Sequence, residues 1–136
     1  MRYLIDTNVI SEIRKGDRAN SGVKSWVMAN DAALWALSVV TIGEIRTGIE
    51  EKRASDPAQA RALESWLLEL IDETTERILP LSLESADTWG RISAGSPLPV
   101  ADAIIAATAL EHDLTLVTRN TADFKNTGLR ILNPWK

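Results

Sequence analysis

The chain has 136 residues, a formal net charge of -4, and 45% apolar and 25% charged residues. That is the make-up of an ordinary globular domain able to bury a core, not of a disordered chain. It has no cysteine and a single histidine, His112, so disulfides, thiolate metal centres and cysteine nucleophiles are excluded, zinc or serine–histidine chemistry is disfavoured, and catalysis would fall to carboxylates.

Tyr3-Leu4-Ile5 is an apolar run that breaks into Asp6-Thr7-Asn8, after which Val9, Ile10 and Ile13 take up helical spacing. The first helix is expected from Asn8 to about Lys15, ended by Gly16-Asp17. Ser21-Gly22 opens a second, with Val23, Trp26 and Val27 on one face. Leu34 to Val39 reads as a strand, and Thr41 opens a helix whose apolar stripe is Ile42, Ile45 and Ile49. Asp56-Pro57 with Gln59 carries the marks of a capped helix start, and Ala60, Leu63, Leu67, Leu70 and Ile71 continue its buried stripe to about Thr75.

Arg77 to Leu81 is a third strand. Leu83 to about Ala94 is a helix containing Trp89 and stopped by Gly95-Ser96-Pro97. Pro99 begins a helix rich in alanine (Ala101, Ala103, Ala106, Ala107, Ala109), whose small side chains let it lie close against a sheet. Leu114 to Thr118 is a fourth strand, Asn120 to Phe124 a polar turn, and Leu129 to Leu132 a fifth strand. This alternation predicts one α/β domain over residues 1–136, a parallel sheet covered by helices on both faces. The apolar run before Asp6 is too short for a signal peptide, and the stretches Ala32 to Ile42 and Val100 to Leu110 are too short or too polar to span a bilayer. The expected location is the cytoplasm.

Four acids attract attention. In open parallel sheets, ligands bind beyond the carboxyl ends of the strands, and Asp6 ends the first strand, although capping of the next helix explains it equally well. Glu44 points away from the Ile42, Ile45 and Ile49 face, with Gly48 leaving space beside it; a capping box with Thr41 is its alternative. Asp102 falls in the first turn of the alanine-rich helix, where the helix dipole alone favours an acid. Asp123 follows the fourth strand with Asn120 and Thr118 at the same corner, and turn formation is its alternative. Together, however, each acid follows a strand end or opens the helix beside one. Carboxylates gathered this way repel until one takes a proton or a cation joins them. Hard oxygen donors suit Mg²⁺ or Mn²⁺, and such a site hydrolyses phosphoesters.

The chain resembles the PIN-domain family, specifically the VapC-type ribonuclease toxins of the FitB-like subgroup. The resemblance lies in Leu4-Ile5-Asp6-Thr7-Asn8-Val9-Ile10-Ser11-Glu12, Gly43-Glu44-Ile45-Arg46-Thr47-Gly48-Ile49, Ala101-Asp102-Ala103-Ile104-Ile105-Ala106-Ala107-Thr108-Ala109, Thr118-Arg119-Asn120-Thr121-Ala122-Asp123-Phe124 and the closing Asn133-Pro134-Trp135. It covers essentially the whole chain in order. It implies five parallel strands in the order 3-2-1-4-5, with Asp6, Glu44 and Asp102 holding Mg²⁺ or Mn²⁺ at the carboxyl edge. Asp123 would be a fourth catalytic acid; relatives often carry an acid where this chain has Asn120, so the resemblance leaves open which of the two serves the metal. Thr7, Asn8, Thr118 and Asn120 would support the site.

The resemblance further implies hydrolysis of RNA by a metal-activated water, with transfer RNA a frequent target. It also implies a homodimer, and a VapB-type antitoxin that blocks the pocket and carries a DNA-binding domain. Relative to that pattern the chain is shortened between Ile92 and Pro99. With the acids gathered and neutralised, Arg14, Lys15, Arg46, Lys52, Arg53, Arg119 and Lys125 are available as a basic rim for phosphates, Arg46 and Arg119 foremost because they adjoin the acids.

Two other readings fit fewer residues. A haloacid-dehalogenase-type phosphatase would use Asp6 as nucleophile but wants a further acid two positions on and a partnering lysine. A non-catalytic PIN-like module would hold an antitoxin or nucleic acid without needing the acids. His112 near a helix end and the tryptophans Trp66 and Trp89 are read as structural.

Overall fold

Each strand of the chain is short, and the twofold alternation of side chains along it divides its residues between two cores. Tyr3 and Ile5 of β1 (Tyr3–Ile5), Leu37 of β2 (Trp35–Ser38) and Val117 of β4 (Thr115–Val117) enter one cluster. Their neighbours Leu4, Ala36 and Leu116 enter the other. A sheet that buries both faces has no polar side, which is why these segments read as unbroken apolar runs. β3 (Ile78–Leu79) and β5 (Ile131–Leu132) complete the sheet, in the order β3-β2-β1-β4-β5, with every neighbouring pair parallel. The computed structural model describes residues 1–95 and 97–136; Ser96, placed by the spacing in a helix stop, lies outside the described residues.

The first face is covered by α1 (Thr7–Ile13), α3 (Val39–Ser55) and α4 (Pro57–Thr74), through Val9, Ile10, Ile45, Ile49, Ala60 and Leu67. α2 (Ser21–Ala29) adds Trp26, which stacks on Trp35 and meets Tyr3 edge-on. The second face is covered by α6 (Val100–Glu111), packed against α5 (Leu83–Gly95). Ala106 and Ala109 are fully buried there with Ile105 and Phe124; the absence of bulk at the alanines brings the α6 backbone close to the strands.

Several boundaries differ from the spacing. Val39 is β-branched and reads as the end of the strand, with the helix opening at Thr41, yet α3 starts at Val39 because the Ser38 hydroxyl accepts the Val40 N–H at 3.0 Å and caps the helix. Thr41 is therefore a buried residue inside α3 and not its cap. Asp56 caps α4 as its sequence suggests, accepting the Gln59 N–H at 3.1 Å. The third and fifth strands are each two residues long, shorter than the Arg77 to Leu81 and Leu129 to Leu132 read from the sequence. The turn after β4 is a 3-10 helix over Thr121–Phe124 that buries Phe124. Among the described residues no helix is long and apolar enough to cross a membrane.

Candidate active site

The register of β1 against β4 pairs Ile5 with Val117, so Asp6 and Thr118, each one residue further on, stand side by side at the carboxyl edge of the sheet. Both are buried, Asp6 to 3% exposure and Thr118 to 0%. Thr118 Oγ1 donates to Asp6 Oδ2 at 2.8 Å, the Thr7 N–H to Asp6 Oδ1 at 2.8 Å, and the Asn8 amide to Asp6 Oδ2 at 3.3 Å. Asp6 thus does cap α1, and the same bonds fix its orientation. Burial pushes its carboxyl above the ordinary range and the Glu44 charge adds to this, while the donors from Thr118, Thr7 and Asn8 oppose it.

Glu44 comes from the second turn of α3 and is exposed where Ile45 and Ile49 are buried. With the helix capped by Ser38, a capping box between Thr41 and Glu44 is ruled out by position. The Thr7 hydroxyl donates to Glu44 Oε1 at 2.7 Å and lies 3.1 Å from Thr41 Oγ1, tying α1 to α3 across the recess. Asp102 comes from the first turn of α6. Its carboxyl is pushed up to about 6, first by burial and then by the charges of Asp6, Glu44 and Asp123. A helix N-terminus favours the ionised acid; here desolvation and like charge win.

Asp6, Thr7, Asn8, Glu44, Asp102 and Asn120 line one recess of about 280 Å³. Asp123 is not in this wall. The 3-10 turn that buries Phe124 leaves Asp123 exposed, beside a neighbouring hollow with Pro97, Leu98, Pro99, Ala122 and Asn126; it reaches the recess only through its charge on Asp102. Asn120 occupies the wall instead, its N–H donating to Thr118 Oγ1 at 3.0 Å.

Neither of the two favoured arginines lines the recess. Arg46 is held by Glu50 at 3.1 Å and by Glu64 of α4, in a network that includes Arg53, and lines no part of the recess. Arg119 contacts the site through its backbone, whose N–H donates to Asn8 Oδ1 at 3.2 Å. Its guanidinium lies over the Trp135 ring, 5.1 Å from the centroid. That ring is fixed because the tail docks on α2: Asn20 Nδ2 donates to the Lys136 carbonyl at 2.8 Å, and a Cβ on Gly22 would sit 2.3 Å from the Pro134 carbonyl. His112 ends α6, its backbone N–H bonded to the Thr108 carbonyl, and Trp66 packs against the core.

Among the described residues no three His, Asp or Glu side chains stand as a ready-made metal cluster; the acids surround an open space. That fits Mg²⁺, which keeps several of its waters and takes only one or two carboxylates from a protein. The donor set is hard oxygen throughout, and the mutual repulsion felt at Asp102 is what a divalent cation would relieve.

The family model described as "PIN domain" matches residues 3–129. The VapC ribonuclease Y4jK of Sinorhizobium fredii is 33% identical, over 98% of this chain and 97% of that protein. The toxin FitB of Neisseria gonorrhoeae is 33% identical over 97% of each. The solved structure of FitAB bound to an IR36 DNA fragment superposes with a TM-score of 0.85 at 30% identity, covering 98% of this chain and 96% of that one.

Proposed function

The chain belongs to the PIN-domain family, and from that premise we propose that residues 1–136 form a single PIN domain acting as a metal-dependent endoribonuclease, the toxin of a toxin–antitoxin pair. The observation that carries the reading is the recess itself. Three acids from β1, α3 and α6 share one wall with no cationic side chain among them, and Asp102 has a carboxyl pushed up to about 6 by burial and its acidic neighbours. Fold stability gains nothing from such an arrangement. A cation and an anionic substrate give it a purpose.

Asp6, Glu44 and Asp102 would hold Mg²⁺ or Mn²⁺. Such an ion supplies charge neutralisation at the phosphodiester and makes water a better nucleophile at neutral pH. The chain's own part is orientation. Thr118, Asn8 and the Thr7 N–H donate to Asp6 and aim it, and the Thr7 hydroxyl holds Glu44. Asn120 offers a neutral amide in the wall where a further acid would add repulsion. Asp123 acts from outside the wall, through its charge.

RNA as substrate follows from the relatives named ribonucleases. An antitoxin partner and a role in DNA-bound repression follow from the FitAB complex on DNA and the toxin name of FitB. A homodimer and a cytoplasmic site of action belong to the same reading. The test is cleavage of total cellular RNA by the purified, partner-free chain with Mg²⁺, with Mn²⁺ and with EDTA, alongside Asp6→Asn and Asp102→Asn. Discrete fragments that require metal and vanish in both variants support it. Fragments that persist in both overturn the assignment of the acids, and absence of both cleavage and metal binding by folded protein overturns the catalytic reading.

A further inference from the structure

Beside the acid recess runs a second, larger groove of about 410 Å³. It lies between α1, α3 and α4, and the two hollows share Thr7 and Glu44 as lining residues, so the groove opens directly onto the site. Its floor is apolar: Ile45, Ile49, Leu63 and Trp66. Its edges are cationic, with Arg14 and Lys15 following α1 and Lys52 in the last turns of α3. Lys15 is spoken for by Glu12 at 2.9 Å. Arg14, whose guanidinium lies over the Trp66 ring 5.9 Å from its centroid, and Lys52 have no carboxylate within ion-pair distance among the described residues, in contrast to Arg46 and Arg53 on the same helix hairpin. Nothing lies within 4 Å of where a Cβ on Gly48 would be, so the groove is open along the middle of α3. On the other flank of the recess, the hollow at Asp123 is lined by Pro97, Leu98, Pro99, Ala122 and Asn126 and holds an acid but no cation.

We infer that the groove between α1, α3 and α4 carries the RNA strand to the acid recess, with Arg14 and Lys52 as positioning residues that grip its phosphates. This rests on the ribonuclease reading and gives it a direction: the strand lies on the α1–α3–α4 side, whose lining carries cations, and not on the Asp123 side, whose lining carries none. Cations spaced on either side of an apolar floor match a polyanion whose sugars and bases need somewhere to lie. The groove falls within the roughly 300–1,000 Å³ typical of ligand sites. Gly48 is then the place where the substrate passes closest to the α3 backbone.

The experiment uses the full chain and pooled transfer RNA. Cleavage gives KM and kcat for the wild type, Arg14→Ala, Lys52→Ala, the double variant and Gly48→Leu. Binding and its salt dependence are measured in an Asp6→Asn background so that the RNA stays intact. Each lost cation should raise KM about three- to ten-fold while leaving kcat nearly unchanged, and should flatten the slope of log affinity on log salt by about 0.7–0.9. Arg14→Lys and Lys52→Arg should restore both. Gly48→Leu, a good helix former on an exposed helix side, should raise KM by obstruction with no loss of melting temperature and no change in salt slope. Lys24→Ala, on α2, is the control.

A wild type that cleaves RNA beside a double variant with the same KM and salt slope overturns the groove alone. A wild type that neither binds nor cleaves RNA overturns the ribonuclease reading and the groove with it. A double variant that keeps its RNA parameters but loses a co-expressed protein partner makes the groove a protein interface and overturns the RNA assignment.

Discussion

On α3, Glu44 shares a recess with Asp6 and Asp102, while Arg46, half a turn further on, is held between Glu50 and Glu64 together with Arg53. The second cluster is balanced: the Arg53 and Arg46 guanidiniums hold the Glu50 carboxyl down at about 2. In the first, burial and neighbouring acids push Asp102 up to about 6. One helix therefore carries charge organised for pairing and charge left without a partner. Surface ion pairs of the first kind contribute little to stability, and their residues are replaceable. Acids of the second kind disfavour the fold at neutral pH, a cost expected where a site binds a cation.

The largest expected effect comes from breaking the unbalanced cluster. Asp6→Asn and Asp102→Asn should each lower RNA cleavage by more than about 100-fold, beyond the roughly 10–100-fold typical of residues that only orient a metal ligand. Single-turnover assays at saturating metal check this, and full activity in either variant would remove that acid from the mechanism. Thr118→Val tests orientation. Without the hydroxyl on Asp6 Oδ2, cleavage should fall about 10–100-fold and the fold should lose about 1 kcal/mol, read by urea denaturation.

The comparison also shows what can be read from a sequence. Asp6 stands out because an apolar strand breaks into a polar corner, and Glu44 because Ile45 and Ile49 define the opposite face of its helix. Asp102 stands out as the lone acid in an apolar helix start. All three are local signals. The start of α3 is misread because the β-branched Val39 favours strand, while the decisive bond, from the Val40 N–H to Ser38 Oγ, depends on a single hydroxyl. The ion pairing of Arg46 is not legible because Glu64 lies 18 residues away and reaches it only through the packing of α3 on α4. That Asp123 stands outside the wall is equally illegible, because burial of Phe124 sets which way its turn faces. The same holds for Arg119, whose position over Trp135 follows from a tail that docks against Asn20 and Gly22. Sheet order and register decide which chain segments meet, and they are properties of the whole fold.

The unbalanced cluster should also declare itself in stability. Asp102 has a carboxyl pKa of about 6 in the fold against an ordinary value of 3.8, so between those values the native state holds more protons than the unfolded chain. Stability then falls as pH rises through that window and stays lowered above about 6. Asp102→Asn, which has no such charge, should be more stable than the wild type by about 1 kcal/mol at pH 7.5, after allowance for solvent on the open side of the group, with the gain gone below pH 3.8. Mg²⁺ should reverse the ranking: at about 100 times its dissociation constant it stabilises the wild type by about 2.7 kcal/mol and leaves Asp102→Asn nearly unmoved. Thermal melts across pH, with metal and with EDTA, check both parts. A variant that gains nothing at pH 7.5 would mean that the acids do not strain one another.

The smallest effect belongs to the balanced cluster. Arg46 and then Arg53 hold the Glu64 carboxyl below its ordinary value of 4.5. A depressed acid contributes stability above its unfolded pKa, and the contribution is lost as pH falls through the folded one. Glu64→Gln should therefore lower the melting temperature slightly at neutral pH, less in high salt, and not at all in acid below the folded value. Both arginines keep Glu50, so cleavage should be unchanged. The variant is nonetheless the sharpest check on which cations face the substrate. If freeing Arg46 from Glu64 tightened RNA binding and steepened its salt dependence, the pairing would be masking a phosphate contact, and the boundary between the two clusters would lie beyond Arg46. Unchanged binding leaves Arg46 on the structural side of α3, and the groove at Arg14 and Lys52 as the route to the acids.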